Sequence, residues 1–324
     1  MAQLTTKFAG LNLKNPIIIS SSGLTNRADK IKKLEEAGAG AVVLKSVFEE
    51  QINIQAGQMS GYDSPEADDY LSAYVRSNAL NEHIELIREA KKSCNIPVIA
   101  SINCYTKSEW TDFAKLMEEA GADALEINIL SLQTEKDYEY GSFEQLHIDV
   151  LKNIKKSVKI PVIIKLGSNL TNPITLINQL YANGASAVVL FNRFYQPDIN
   201  IDTLSYTSSN VFSSPNELAE KIRWTAIASA TVPQIDYAIS GGVHCGKGII
   251  KSILAGAGAV EVCSAIYQYG NKEITEMLDE LSKWMDSKGY ENINQMKGIM
   301  NANAAGSINP FERTQFMKYY SNHE

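Results

Sequence analysis

The chain has 324 residues, a formal charge of −7 and a pI near 5.3, a balance that argues against a binder of phosphate backbones, since nucleic-acid domains present a basic face. No run approaches the roughly 20 apolar residues needed to cross a bilayer, and the start MAQLTTKFAG lacks the apolar core of a signal peptide. A soluble, cytoplasmic protein acting on a small molecule is expected.

In chain order, TTKFAGLNLKN reads as a small hairpin, and NPIIISS (15–21) as the first of eight short apolar runs. Four of these stand behind a proline or glycine: NPIIISS, IPVIASIN (96–103), IPVIIKL (160–166) and IDYAISGG (235–242). The other four close a repeated junction in which an amphipathic helix ends at glycine and a β-rich run follows: EEAGAGAVVLK (35–45), EEAGADALEIN (118–128), YANGASAVVLF (181–191) and LAGAGAVEVCS (254–264). Helical patterns fill the gaps at 29–37, 78–93, 108–120, 143–156, 173–182, 217–230, 247–254 and 272–287. Near-continuous apolar runs suit parallel strands buried on both faces, and eight of them alternating with eight helices predict a closed (β/α)8 TIM barrel. The prediction is one α/β domain over 1–324, with the hairpin under the barrel floor and an added C-terminal helix over 291–304. The long connection 51–78 is a candidate lid, or equally an ordered insertion.

Chemistry in such a barrel sits at the C-terminal ends of the strands, and these ends carry Ser21 and Ser22, Lys45 and Ser46, Asn103, Asn128, Lys165, Asn192, Gly241 and Gly242, and Cys263 and Ser264. A lysine at the end of a buried strand needs an anionic partner, either a bound anion or a neighbouring carboxylate. SGGVHCGKG (240–248) and CSA (263–265) follow the seventh and eighth strands, where glycine amides and a helix start make a common phosphate site; His244 could add a hydrogen bond or be an ordinary loop residue. A phosphate there, with lysines and amides around the mouth, suits FMN, and Lys165 is the better placed lysine for the negative charge of its reduced form. The four cysteines, Cys94, Cys104, Cys245 and Cys263, form no CxxC pair, so no metal site is expected.

The ordered segments NPIIISSSG, VVLKS, LEINILS, VIIKL, VVLFN, ISGGV and EVCSA resemble those of the dihydroorotate dehydrogenase family, FMN-dependent barrel enzymes of pyrimidine synthesis. The resemblance implies that Ser21, Ser22 and Gly23 lie along the flavin with Lys45 and Ser46, and that Lys165 is the flavin lysine. It implies further that Asn128 lies near flavin and substrate, that Asn192 meets the substrate, and that Gly241, Gly242 and Ser264 hold the phosphate. Where the family writes N-L-S-C-P-N, this chain has Asn128-Ile129-Leu130-Ser131-Leu132-Gln133. Ser131 thus stands at the catalytic cysteine of the cytosolic members and matches the serine base of the membrane-associated ones. The family's N-S-M-G-L-P-N loop is replaced by GYDSPEADDYLSAY (61–74), and Arg193 follows Asn192 where the family has a small residue. Arg193 could meet a substrate carboxylate bidentately or pair on the surface; Asn103 and Asn192 complete the expected substrate set. The resemblance implies a homodimer; the electron acceptor is not legible. Two other readings fit the same residues: a related flavin enzyme with another substrate, and a flavin-free aldolase-type barrel using Lys165 or Lys45 as a Schiff base.

Overall fold

The computed structural model describes residues 2–48, 65–103, 110–304 and 311. β1 (Thr6–Phe8) and β2 (Leu11–Leu13) form the expected antiparallel hairpin; Phe8 pairs with Leu11, leaving Ala9 and Gly10 as a two-residue turn. Both turn residues have positive φ, 52° and 77°, as a type I′ turn requires. The barrel then runs β3 (Ile17–Ile19), α1 (Ala28–Glu36), β4 (Ala41–Val43), β5 (Val47–Phe48), α2 (Pro65–Ser93), β6 (Val98–Asn103), α3 (Trp110–Glu119), β7 (Ala124–Asn128) and α4 (Ser142–Lys155). Its second half is β8 (Val162–Leu166), α5 (Pro173–Ala182), β9 (Ala187–Leu190), an inserted hairpin of β10 (Pro197–Asn200) and β11 (Ser205–Ser208), α6 (Leu218–Thr231), β12 (Asp236–Ser240), α7 (Gly246–Ala255), β13 (Ala259–Val262), α8 (Ser264–Tyr269) and α9 (Lys272–Lys288).

Eight parallel strands pair in the order β4, β3, β13, β12, β9, β8, β7, β6, and β4 pairs with β6 to close the ring, with β5 continuing along β6. The repeated junction is real: Gly38, Gly121, Gly184 and Gly256 have φ of 112°, 99°, 92° and 119°, the left-handed region in which a helix ends before the next strand begins. Inside the ring, Ala41, Ala124, Ala187, Ala238 and Ala259 interleave with Ile18, Ile99 and Ile163, and Phe8 and Leu13 of the hairpin pack beneath them. Small and large side chains from these strands, with the hairpin beneath, thereby fill the lower barrel. The Ala9 amide donates to Asp236 Oδ2 at 2.9 Å and fixes the plug to the start of β12.

Two segments differ from expectation. Helix α2 begins at Pro65 rather than at residue 78, which Ser-Pro-Glu at 64–66 encodes as a helix start; of the connection 51–78 on which the lid reading falls, 65–78 belong to this helix and 51–64 lie outside the described residues. The expected helix over 291–304 is a single 3-10 turn at Ile293–Gln295 followed by turns. Its Gly298 and Met300 amides donate to Ile253 and Leu254 carbonyls in the last turn of α7, and Ala302 to Ala226 in α6. Amides spent on neighbouring helices are not available for a helical ladder of their own.

Candidate active site

Side chains alternate along a strand, so residues two apart enter the barrel together. Counting up from the apolar layer leads from Ala124 to Glu126 and Asn128, from Ile163 to Lys165, from Ala259 to Glu261, from Ala238 to Ser240, from Ile18 to Ser20, and from Ile99 to Ser101 and Asn103. All of these polar residues are buried. Above the apolar plug the barrel therefore carries a layer of two carboxyls, one ammonium and three hydroxyls.

Lys165 is the centre of that layer. Its Nζ donates to Glu261 Oε2 at 2.5 Å and to Ser20 Oγ at 3.1 Å, and lies 3.6 Å from Glu126 Oε1. Ser20 Oγ donates to Glu261 Oε2 at 2.9 Å. Burial pulls the Lys165 pKa down, but Glu126 and Glu261 outweigh it and hold the ammonium above its ordinary range. Burial would push both carboxyls up; beside Lys165, and with hydrogen bonds from its neighbours, Glu261 is held below its usual value, whereas burial and the charge of Glu261 drive Glu126 well above it.

A cavity of about 400 Å³ opens over this layer, within the range of small-molecule sites of roughly 300–1,000 Å³. Of the expected residues it brings together Ser21, Ser46, Asn103, Asn128, Lys165, Asn192, Arg193, Gly241, Gly242, Cys263 and Ser264. On one side Ser21 and Ser46 share a hydroxyl contact of 2.9 Å, and Ser46 continues to Ser101 at 2.7 Å. On another, Asn192 Nδ2 donates to Asn128 Oδ1 at 2.9 Å. At the far corner Ser213 joins the last two strand ends: its amide donates to Ser264 Oγ at 3.0 Å, the Gly242 amide donates to its hydroxyl at 3.3 Å, and the same hydroxyl meets His244 Nε2 at 2.9 Å. Gly241 and Gly242 have φ of 87° and 82°, and a Cβ on Gly242 would stand 2.5 Å from the Leu218 amide nitrogen, so only glycine lets this loop sit against the start of α6.

Three expected residues stand apart. Lys45 is exposed; Ser22 turns its hydroxyl to the Ser20 carbonyl and accepts the Leu24 amide. Ser131 follows the cavity-lining Leu130 in a half-exposed stretch whose carbonyl accepts from Asn169 Nδ2 at 2.9 Å. Arg193 lines the cavity, but its guanidinium is engaged: Nε donates to Glu217 Oε2 at 3.2 Å, Nη1 to the Val211 carbonyl and Nη2 to the Asn210 carbonyl, both at 2.7 Å. It ties down the return from the inserted hairpin. Arg193→Ala is accordingly expected to lower stability by about 1–3 kcal/mol in urea unfolding; an unchanged midpoint would mean that the guanidinium is not committed there.

Sequence reasoning missed Ser20, Glu126, Glu261 and Ser213. For the first three the signal was present as a period of two, counted back from Ser22, Asn128 and Cys263. Ser213 lies in the connection after a long insertion and carried no such signal.

A family model described as dihydroorotate dehydrogenase matches residues 3–285. The catalytic subunit of dihydroorotate dehydrogenase B (NAD(+)) of Thermoplasma volcanium is 32% identical over 312 residues, covering 92% of this chain and 99% of that protein. The corresponding subunit of Thermoplasma acidophilum is 28% identical over 309 residues, with the same coverages. A subunit of the NAD-dependent dihydropyrimidine dehydrogenase of Escherichia coli is 23% identical over 318 residues, covering 93% of this chain and 77% of its own. The family match runs through all eight barrel strands and every cavity-lining side chain from Ser20 to Ser264, and the chain belongs to the dihydroorotate dehydrogenase family.

Proposed function

We propose that the chain is an oxidoreductase that binds FMN at the barrel mouth and oxidises (S)-dihydroorotate to orotate, a step of pyrimidine biosynthesis. The observation that carries this reading is the two-ended chemistry of the cavity within a chain of this flavin-dependent family: amides, hydroxyls and Lys165 at one end, and the Gly241, Gly242 and Ser264 corner at the other. The residues fit the cofactor. The corner offers amides and hydroxyls, and the carboxylate near it, Glu217, is occupied by Arg193 and the Ser214 amide, so an anionic phosphate meets donors.

When bound, FMN supplies the hydride acceptor and takes on negative charge as it is reduced. Lys165, Ser21 and Ser46 would flank the ring, with Cys263 beside it; Lys45 and Ser22, which stand outside the cavity, would reach it only by turning inwards. Asn103, Asn128 and Asn192 would hold the substrate by its carbonyl and carboxylate groups, which favours the flat product as the ring becomes planar. Ser131 would take the substrate proton at Oγ and pass it to water, since among the described residues its hydroxyl has only the Leu132 carbonyl as partner, at 3.5 Å.

Anaerobic mixing of the FMN-loaded protein with dihydroorotate is expected to bleach the flavin's visible absorption at a rate that a stopped-flow instrument resolves. Retention of the yellow colour at saturating dihydroorotate would overturn the substrate. The second reading, a related flavin enzyme acting on another substrate, is favoured by Leu132 and Gln133 and by the replaced loop at 61–74, and by a relative named for dihydropyrimidine oxidation; dihydropyrimidines are the compounds to try next. An aldolase-type lysine is disfavoured by the ion pair that keeps Lys165 protonated.

Relatives named as catalytic subunits of NAD-dependent enzymes support a partner subunit that carries electrons to NAD. A second copy of the chain is supported by the apolar side chains left exposed around the inserted hairpin, Tyr195, Ile199, Ile201, Leu204 and Tyr206.

A further inference from the structure

We propose that Glu126 and Glu261 share one proton beneath the cavity floor, and that Glu261, as the resident counter-ion of Lys165, lowers the reduction potential of a flavin bound above it. The second half rests on the FMN reading; the first does not.

The geometry distinguishes the two carboxyls. Glu261 lines the cavity and accepts two hydrogen bonds on one oxygen, from Lys165 at 2.5 Å and from Ser20 at 2.9 Å. Glu126 lies one strand over from Lys165, does not line the cavity, and as a carboxylate has, among the described residues, no hydrogen-bond donor on either oxygen, only the ammonium at 3.6 Å. Coulomb attraction falls as the inverse of distance, so the lysine favours the charge on Glu261. With all three side chains at most 4% exposed, bulk solvent does little to stabilise a second anion, and two carboxyls sharing a site do not both ionise readily. Protonated, Glu126 would gain a hydroxyl able to donate to Glu261, whose Oε1 is likewise buried without a hydrogen-bond partner among the described residues, and the opposed directions of the two pKa values agree with that assignment. Among the described residues the other titratable group facing the cluster is Cys263, whose thiol burial pushes up and keeps neutral.

The cluster therefore holds Lys165 as a cation, Glu261 as an anion and Glu126 as an acid, with no net charge. A bare lysine would favour a reduced, negatively charged ring; the carboxylate beside it withdraws most of that preference. Family resemblance assigns Lys165 to the flavin, but says nothing of a partner that cancels it.

The test has two readouts. In the protein without flavin at neutral pH, difference infrared spectroscopy of wild type against Glu126→Gln is expected to show the carbonyl band of one protonated carboxylic acid, lost in the variant. It is lost also in Glu261→Gln, where Glu126 ionises to become the counter-ion. Absence of that band from wild type overturns the shared proton whether or not FMN binds. In the FMN-loaded protein, spectroelectrochemical titration is expected to give an upward shift of potential in Glu261→Gln, because the remaining anion moves from the cavity floor to a position below it, and little shift in Glu126→Gln, which exchanges a neutral acid for a neutral amide. Equal shifts, or none in Glu261→Gln, overturn the tuning role. Each variant keeps one carboxyl beside the lysine, so both retain a buried ion pair.

Discussion

Ser131→Ala is expected to slow flavin reduction by dihydroorotate about 10²–10⁴-fold, the range lost when a positioned general base is removed, while the affinity for orotate stays near that of the wild type. The expectation rests on a resemblance and on the local geometry of this stretch of chain. By its resemblance to the family's sequence pattern Ser131 would occupy the place of the base, and its backbone is held by Asn169 Nδ2 while its hydroxyl contacts, among the described residues, only the Leu132 carbonyl at 3.5 Å. A hydroxyl so loosely held can turn towards a ligand seated over Leu130. Since no ionisable side chain hydrogen-bonds to it among the described residues, the proton leaves to water and the rate should climb with pH rather than pass through a bell. Ser131→Cys offers the sharper comparison: a thiol of ordinary acidity titrates at about 8.5, so reduction should persist, with an inflection near that pH that the wild type lacks. Stopped-flow reduction of the three proteins across pH measures both effects. An unchanged rate in Ser131→Ala would remove Ser131 from the mechanism and turn attention to the asparagines.

The barrel was legible because its signals are local. A proline or glycine before an apolar run marks a strand start, and Gly38, Gly121, Gly184 and Gly256 each mark a helix end; the structure gives every one of those four a positive φ. The helix expected over 291–304 failed for a non-local reason: Gly298, Met300 and Ala302 give their amides to carbonyls in α7 and α6, and nothing near them in sequence announces it. The same division runs through the site. Strand ends name most of the cavity lining, but Glu126 and Glu261 are embedded in apolar runs, where a carboxyl looks like an exception to burial until the strands close and set both against Lys165. The engagement of Arg193 with Asn210, Val211 and Glu217 depends on the return path of an inserted hairpin, which no periodicity encodes.

Lys165→Met should have the largest effect on stability. Methionine fills much the same volume, so the cost is electrostatic: two carboxyls at most 1% exposed lose the cation set between them. Removing one partner from a buried ion pair costs about 3–5 kcal/mol near neutral pH, a large part of the roughly 5–15 kcal/mol that holds a domain folded. The dependence on pH carries the diagnosis. In the wild type the folded-state pKa of Glu261 lies below its ordinary 4.5, so its contribution is present above that value and is lost as pH falls through the depressed folded pKa. In Lys165→Met both carboxyls are raised by burial with nothing to oppose it. A raised carboxyl favours the folded state below its unfolded pKa, and that advantage is lost as pH rises through the folded one. The gap between the two proteins should therefore be widest near neutrality and narrow on acidification towards about pH 4.5. Urea unfolding of the flavin-free proteins at a series of pH values measures it. The triple variant Glu126→Gln, Lys165→Met, Glu261→Gln, with no charge left to bury, should recover most of the loss at neutral pH, because neutral groups of similar shape replace a buried ion cluster at little cost. A loss independent of pH, or one that the triple variant does not relieve, would mean that Lys165 supports the barrel by packing alone, and that its carboxyl partners do not depend on it for charge.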